Sequence, residues 1–231
     1  MMMQLQIERP KAEAYREFSK IVAAVVADLI KEKPNAALGL PTGRTPTVLY
    51  EYLAEHSRNG LDWSNVRCFG LDEYVDANEQ HSFRRFLEEH VYQHANVNKK
   101  NLFNPLLIDN YDLAIAEQGG LDLAILGLGR NGHIAFNEPG TPMQSWTHSV
   151  WLSESTQHAN AEFFDGGRIP TRAVTMGIST LLAAKRLILM VTGTQKKEIL
   201  ERAMRGPITS EVPASFLQTH DNLMVLADFD Y

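Results

Sequence analysis

Residues 121–140 read LDLAILGLGRNGHIAFNEPG. The opening LDLAIL carries no charge after Asp122 and is an apolar run of strand length. A glycine-rich turn follows, Gly127-Leu128-Gly129-Arg130-Asn131-Gly132, and then His133, Asn137 and Glu138, closed by Pro139 and Gly140. Open α/β sheets bind ligands just outside the carboxyl ends of their strands. Glycines there let the backbone turn sharply or approach a ligand. A buried strand that ends in glycines and then presents an imidazole and a carboxylate is a place for proton transfer. The plain alternative is a tight turn with a solvated His and Glu, since polar residues commonly follow strands.

Upstream, Tyr15, Phe18, Val22, Val25 and Leu29 recur at spacings of three and four, which predicts an amphipathic helix over 11–31. Residues 36–40 form a short apolar strand that stops at PTGRTP. Thr45 and Pro46 then read as a cap and a first helical position, opening a helix with Val48, Leu49, Tyr52 and Leu53. A strand over 66–70 delivers Asp72, Glu73 and Tyr74. Helices are expected over 81–94 and 109–118.

Downstream, strands are expected over 148–152 and, more weakly, 173–176, with a short helix over 178–184. RLILMV at 186–191 is a strand that ends at TGTQKK, which opens a helix, and a last strand spans 223–227. Strands alternating with helices predict an α/β fold: one doubly wound, mostly parallel (Rossmann-like) sheet in a single domain over 1–231. In such a sheet four strand ends share one edge: residues 42–45, 72–74, 127–138 and 193–196.

Composition narrows the function. Of the 231 residues 44% are hydrophobic and 22% charged, ordinary for a globular protein. A net charge of -6 gives no electrostatic support to a nucleic-acid partner. A phosphorylated small molecule needs only local donors. One cysteine, Cys68, makes no disulfide framework; inside a strand and without a paired histidine it reads as a buried, inert thiol. No apolar run reaches membrane-spanning length, and a cytoplasmic location is the expectation.

Each polar cluster has two readings. Thr42, Gly43, Arg44 and Thr45 at a helix start offer amides, hydroxyls and a dipole to an anion, or are an ordinary capped loop. Lys196, after the next such strand, reaches a phosphate as a point charge or is solvated. GLGRNG fits GxGxxG, and Glu154 lies at about the distance of a ribose-binding acid, but Pro139-Gly140 cuts off within two turns the long helix that a dinucleotide fold wants. Of the adjacent Asp72 and Glu73, at most one points into a cleft if the segment is extended; the other reading is a helix cap or a salt bridge. His90 and His94 share a face without a third ligand and read as solvated; Trp63, Trp146 and Trp151 read as packing.

The motifs LGLPTGRTP, FGLDEYV, LGLGRNGHIAFNEPG and VTGTQKKE, in this order, resemble the glucosamine-6-phosphate deaminase family and the related galactosamine-6-phosphate deaminases/isomerases, over residues 36–226. The 6-phosphogluconolactonases share that fold but typically have a GHTASLFP-like stretch where this chain has GHIAFNEP. The resemblance implies that an aminosugar 6-phosphate opens its ring, moves a proton from C2 to C1 and loses ammonia, with no metal or organic cofactor. By match, Asp72 takes the C2 proton and returns it to C1, His133 shuttles the proton at the ring oxygen, and Glu138 holds the imidazole. Asn131 stands where many members have Asp, so the relay rests on Glu138.

Glu162 stands where deaminases often have a phosphate-binding arginine. Arg172, or else Arg168, is the expected replacement, an arrangement like that of the galactosamine branch, and Asp76 points weakly the same way. The expected partner is therefore a phosphorylated aminosugar, glucosamine before galactosamine, bound by Thr42, Gly43, Arg44, Thr45, Lys196 and Arg172. A lactonase and a non-catalytic sugar-phosphate sensor are the more distant alternatives. The longer hexameric deaminases carry more sequence after the last strand, so a monomer or small homo-oligomer is expected.

Overall fold

The computed structural model describes residues 3–5, 11–164 and 167–231. In chain order its elements are β1 (Met3–Leu5), α1 (Lys11–Glu32), β2 (Ala37–Leu40), α2 (Thr47–Arg58), β3 (Arg67–Gly70), β4 (Asp72–Tyr74), α3 (Phe83–His90), β5 (Leu102–Phe103) and α4 (Tyr111–Glu117). They continue with β6 (Leu123–Gly127), β7 (His148–Trp151), α5 (Glu154–Asn160), β8 (Arg172–Thr175), α6 (Ile178–Leu182), β9 (Leu187–Val191), α7 (Lys197–Arg205) and β10 (Leu223–Ala227).

The main sheet has the order β1-β10-β9-β6-β2-β3-β5, and every pairing in it is parallel. The chain runs outward from β2 through β3 to β5, then returns to the other side of β2 with β6 and continues through β9 to β10. The strand order reverses between β2 and β6, where such sheets open a ligand crevice.

Strand side chains alternate between two cores, as period two requires. Leu38, Leu40, Ile125, Ile188, Met190 and Leu226 pack against α1, α2 and α3 through Phe18, Val22, Leu49, Leu53 and Leu87. Ala124, Leu126, Leu187, Leu189 and Val225 pack against α4, α6 and α7 through Ile115, Leu181, Leu200 and Ala203. Gly39 is needed where β2 meets β6: a Cβ there would lie 3.0 Å from both the Ala124 Cβ and Leu71 Cδ2. No helix among the described residues is long and apolar enough to cross a membrane.

Besides β1 and β5, which the sequence reading did not place, the structure departs from it in four places. First, β4, β8 and β7 leave the main sheet and form a small antiparallel one, with Asp72 opposite Thr175 and His148 opposite Thr175 on the other side. Leu71 joins the sheets: its N–H donates to Leu40 O (3.3 Å) and its carbonyl accepts from Met176 N (2.8 Å). Second, the helix expected over 81–94 is α3 between two 3-10 turns, Glu79–His81 and Tyr92–His94. Ser82 caps α3 by accepting from Arg85 N, and Val91, at φ -124°, ends it. Third, α2 begins at Thr47, not Pro46, and Thr45 does not cap it: its hydroxyl meets the Thr192 hydroxyl (3.3 Å). Fourth, α5, followed by a 3-10 turn at Ala161–Phe164, and the 3-10 helix Pro213–Thr219 carry too little apolar periodicity to announce themselves.

Candidate active site

The carboxyl ends of β9, β6, β2 and β3 border one cavity of about 270 Å³. Thr42, Gly43, Arg44, Thr45, Asp72, Arg130, His133 and Lys196 line it, with Thr156, Asn160 and Phe163 from the α5 segment.

Asp72 and Glu73 divide as an extended pair must. The Glu73 carboxylate is buried and accepts from the N–H groups of Tyr74 (3.0 Å), Phe83 (2.7 Å) and Arg84 (2.7 Å) and from Asn104 Nδ2 (2.9 Å). It holds the start of α3, so the helix-cap reading applies to Glu73 alone. Asp72 lines the cavity at 7% exposure, and its carboxyl group has no hydrogen-bond partner among the described residues. Burial, and then the Glu73 charge, push its carboxyl up to about 8. A carboxylate of that basicity is suited to accept a proton from carbon near neutral pH.

The glycine turn positions the imidazole. Gly129 N donates to His133 O (2.9 Å) and Gly132 N to Gly129 O (3.1 Å). A Cβ on Gly129 would lie 2.3 Å from the His133 ring, so only glycine leaves space for it. Ala135, with φ 48°, follows in a turn closed by Asn137 N donating to Ile134 O (3.0 Å). Asn137 also donates to Met176 O (2.8 Å), and Phe136 N donates to Thr175 Oγ1 (3.0 Å), so the second sheet anchors this turn.

His133 Nδ1 lies 3.7 Å from Glu138 Oε2 and 3.4 Å from Thr156 Oγ1. Glu138 accepts from Asn131 Nδ2 (2.6 Å) and Ser153 Oγ (3.2 Å). Burial alone would raise the Glu138 carboxyl, but His133, Thr156 and Asn131 together hold it down at about 2. It is therefore an ionised partner for the imidazole. Asn131 does not touch the ring through its side-chain nitrogen; it fixes Glu138, while its Oδ1 accepts from His133 N (3.2 Å).

At the other end of the cavity Gly43 (φ 91°) turns the backbone beside Thr42 and Thr45, opposite Thr192, Gln195 and Lys196. Burial, and then Arg130, push the Lys196 ammonium down to about 8 against the pull of Asp228. The Arg44 guanidinium also lines the cavity but is already engaged, in an ion pair with Glu162 and 5.4 Å from the Phe163 ring centroid. That pair ties the α5 segment to the loop after β2.

The structure does not bring Arg172 to the cavity lining. Strand alternation puts it on the exposed face of β8, 5.2 Å from the Trp151 ring, away from the cavity. Arg168 pairs with Asp76 at 3.3 Å and is not a lining residue either. Trp151 and Trp146 are exposed, so of the three tryptophans only Trp63 packs inside; Cys68 is buried, and burial pushes its thiol up. The GLGRNG turn opens no long helix, and His90 stacks on Phe86. Among the described residues no group of three potential metal ligands converges. The sequence reading missed Arg130, Thr156, Asn160 and Phe163 as lining residues. Ser153 with Glu154, a cap and an acidic first turn, was the available signal for α5.

The fold and cavity define an α/β protein with a buried carboxyl group, an imidazole–carboxylate pair and a lysine with two arginines around its topological switch point. The family model for glucosamine-6-phosphate isomerases/6-phosphogluconolactonase matches residues 9–225, and the chain belongs to that family. It is 41% identical to a glucosamine-6-phosphate deaminase of Lachnoclostridium phytofermentans, over 95% of this chain and 98% of the relative. It is 40% identical to glucosamine-6-phosphate deaminase 2 of Bacillus subtilis, over 94% and 93%. The solved structure of a monomeric glucosamine-6-phosphate deaminase superposes with a TM-score of 0.89 at 37% identity, covering 98% of this chain and 97% of that one. A 6-phosphogluconolactonase of Trypanosoma brucei, at 18% identity and a TM-score of 0.74, shares the fold.

Proposed function

We propose that the chain, acting as a single catalytic domain, converts glucosamine 6-phosphate to fructose 6-phosphate and ammonia. The observation that carries this reading is the spread of charge across the cavity. Asp72 follows β3 and Lys196 follows β9, with β2 and β6 between them, and His133 lines the space as well. An aminosugar phosphate has the matching ends, an amine at C2 and a phosphate at C6.

In this reading His133 takes the proton of the C1 hydroxyl and returns it to the ring oxygen, opening the ring. The ionised Glu138, fixed by Asn131 and Ser153, steadies the imidazole while it is charged. Asp72 then removes the C2 proton and delivers it to C1, while one N–H proton of the amine passes to the C1 oxygen, leaving a C1 hydroxyl and an imine at C2. Water adds to that carbon, and ammonia departs. A lactone hydrolase has no use for a carbon base at Asp72. Thr42, Gly43 and Thr45, with Lys196, hold the phosphate, and the chain works as a monomer or small homo-oligomer.

Glu162 and Asp76 were the departures that favoured the galactosamine epimer. They pair with Arg44 and Arg168 of this chain, and the epimer preference proposed here rests on the relatives named glucosamine-6-phosphate deaminase. The test is ammonia release from both epimers under one set of conditions. The proposal expects a higher kcat/KM for glucosamine 6-phosphate; a tenfold preference for galactosamine 6-phosphate reverses the order, and activity on neither overturns it.

A further inference from the structure

Three cationic side chains line the end of the cavity bounded by β2, β6 and β9: Arg44, Arg130 and Lys196. Arg44 is spoken for by Glu162 and Phe163. Arg130 is exposed, and no carboxylate among the described residues pairs with it. It follows β6 directly, while Lys196 follows the adjacent β9, so the two cations flank one corner of the cavity. Two like charges facing one partly buried space repel unless an anion joins them.

Resting on the aminosugar-phosphate reading, we infer that Arg130 is a second phosphate-binding cation of this site, taking the place of the arginine that position 162 lacks. A guanidinium fork suits two phosphate oxygens at once, whereas the Lys196 ammonium acts as a point charge. The backbone that carries Arg130 is held on both sides. Gly132 N donates to Gly129 O (3.1 Å), and Gly132, at φ 90°, is packed so closely that a Cβ would lie 2.9 Å from Val212 Cγ1. The same turn positions His133. Anchoring the phosphate on it therefore places the sugar relative to the imidazole through three residues of rigid chain.

Lys196 supplies an independent readout. The charged groups acting on it are Arg130, which lowers its affinity for a proton, and Asp228, which raises it; Thr192, Gln195 and Thr45 nearby are neutral. Removing Arg130 therefore moves the titration of Lys196 upward, which the loss of an arginine remote from Lys196 does not do.

The experiment is calorimetric titration with inorganic phosphate of the wild type, Arg130→Ala, Arg130→Gln, Arg130→Lys and, as a control outside the cavity, Arg172→Ala, beside steady-state kinetics. Arg130→Ala and Arg130→Gln are expected to bind phosphate at least about tenfold more weakly, the scale of one charge-assisted contact. They should raise KM by a similar factor with kcat within about threefold, and shift the alkaline limb of kcat/KM upward. Arg130→Lys recovers part of the affinity, and Arg172→Ala changes nothing. Phosphate affinity within about twofold of wild type in both neutral variants, with the alkaline limb unmoved, overturns the inference. The titration needs no turnover. Weakened phosphate binding without ammonia release from either epimer refutes the aminosugar reading and leaves Arg130 standing; ammonia release with undiminished phosphate binding refutes Arg130 alone.

Discussion

Asp72→Asn should produce an enzyme that is dead and more stable. In the folded protein burial and Glu73 raise the Asp72 carboxyl to about 8 from an ordinary value of 3.8. Between those values the folded chain keeps a proton that the unfolded chain has released, so stability falls as pH rises through that window. The shift of about four units corresponds to a loss on the order of 5 kcal/mol above pH 8, an upper figure for a site that relaxes or admits water. Asn is neutral at every pH and escapes the loss, but its buried amide lacks partners, which costs about 1–3 kcal/mol. The variant should therefore match or fall slightly below wild type near pH 5. It should gain several kcal/mol by pH 9, or roughly 10 °C in Tm for a chain of this length. The assay is thermal or urea unfolding of both proteins from pH 5 to 9, beside ammonia release. A stability difference that does not grow with pH refutes the desolvated Asp72, and near-normal turnover refutes its role as the carbon base.

Other outcomes follow from the same geometry. Glu73→Gln removes a charge that raises Asp72, so the acid limb of kcat/KM should move to lower pH, and the loss of one acceptor oxygen at the start of α3 should lower Tm; an unmoved limb counts against the coupling. With Asp72 needed ionised and Lys196 needed charged, both near 8, the wild-type kcat/KM profile should be a narrow bell centred near pH 8, and a broad plateau over pH 6–10 is the contrary result. His133→Gln should impair the cyclic substrate far more than an acyclic one, and equal losses would remove His133 from ring opening. Gly129→Ala places a methyl 2.3 Å from the imidazole and should cost at least about a hundredfold in kcat with the fold retained, which kinetics and circular dichroism check together. Lys196→Ala should raise KM strongly for the phosphorylated sugar, and a change below about twofold indicates a solvated lysine.

The main sheet was legible because its central strands are long, apolar and bounded by glycine or threonine turns; β10 was read to the residue and β9 to within one. The meeting of residues 42–45, 72, 127–138 and 196 at one edge followed from that topology alone. The second sheet was not legible as a sheet: strands were expected near β7 and β8, but their antiparallel pairing with the three-residue β4 is non-local. Arg172 was misplaced for the same reason. Nearness in sequence to the missing arginine says nothing about which face of a strand a side chain takes, and alternation buries Ala173 and exposes Arg172. Arg130 escaped notice because a cation in a glycine turn has no local signature; only the facing Lys196, from another strand end, gives it meaning.

The step at Leu71 divides the labour of the cavity between two frames. The cationic end is carried by loops of the seven-stranded sheet. Asp72, the proposed carbon base, sits on β4, paired with Thr175, and that threonine also receives the Phe136 amide of the turn bearing the imidazole. The small sheet thus acts as a gauge between Asp72 and His133, with Lys196 and the 42–45 loop carried by the other sheet. Altered registers or lengths of β4 and β8 would retune which carbon is attacked while the grip on the phosphate stays intact. A scaffold divided in this way is open to new chemistry on phosphorylated sugars by changes to about a dozen residues of one small sheet.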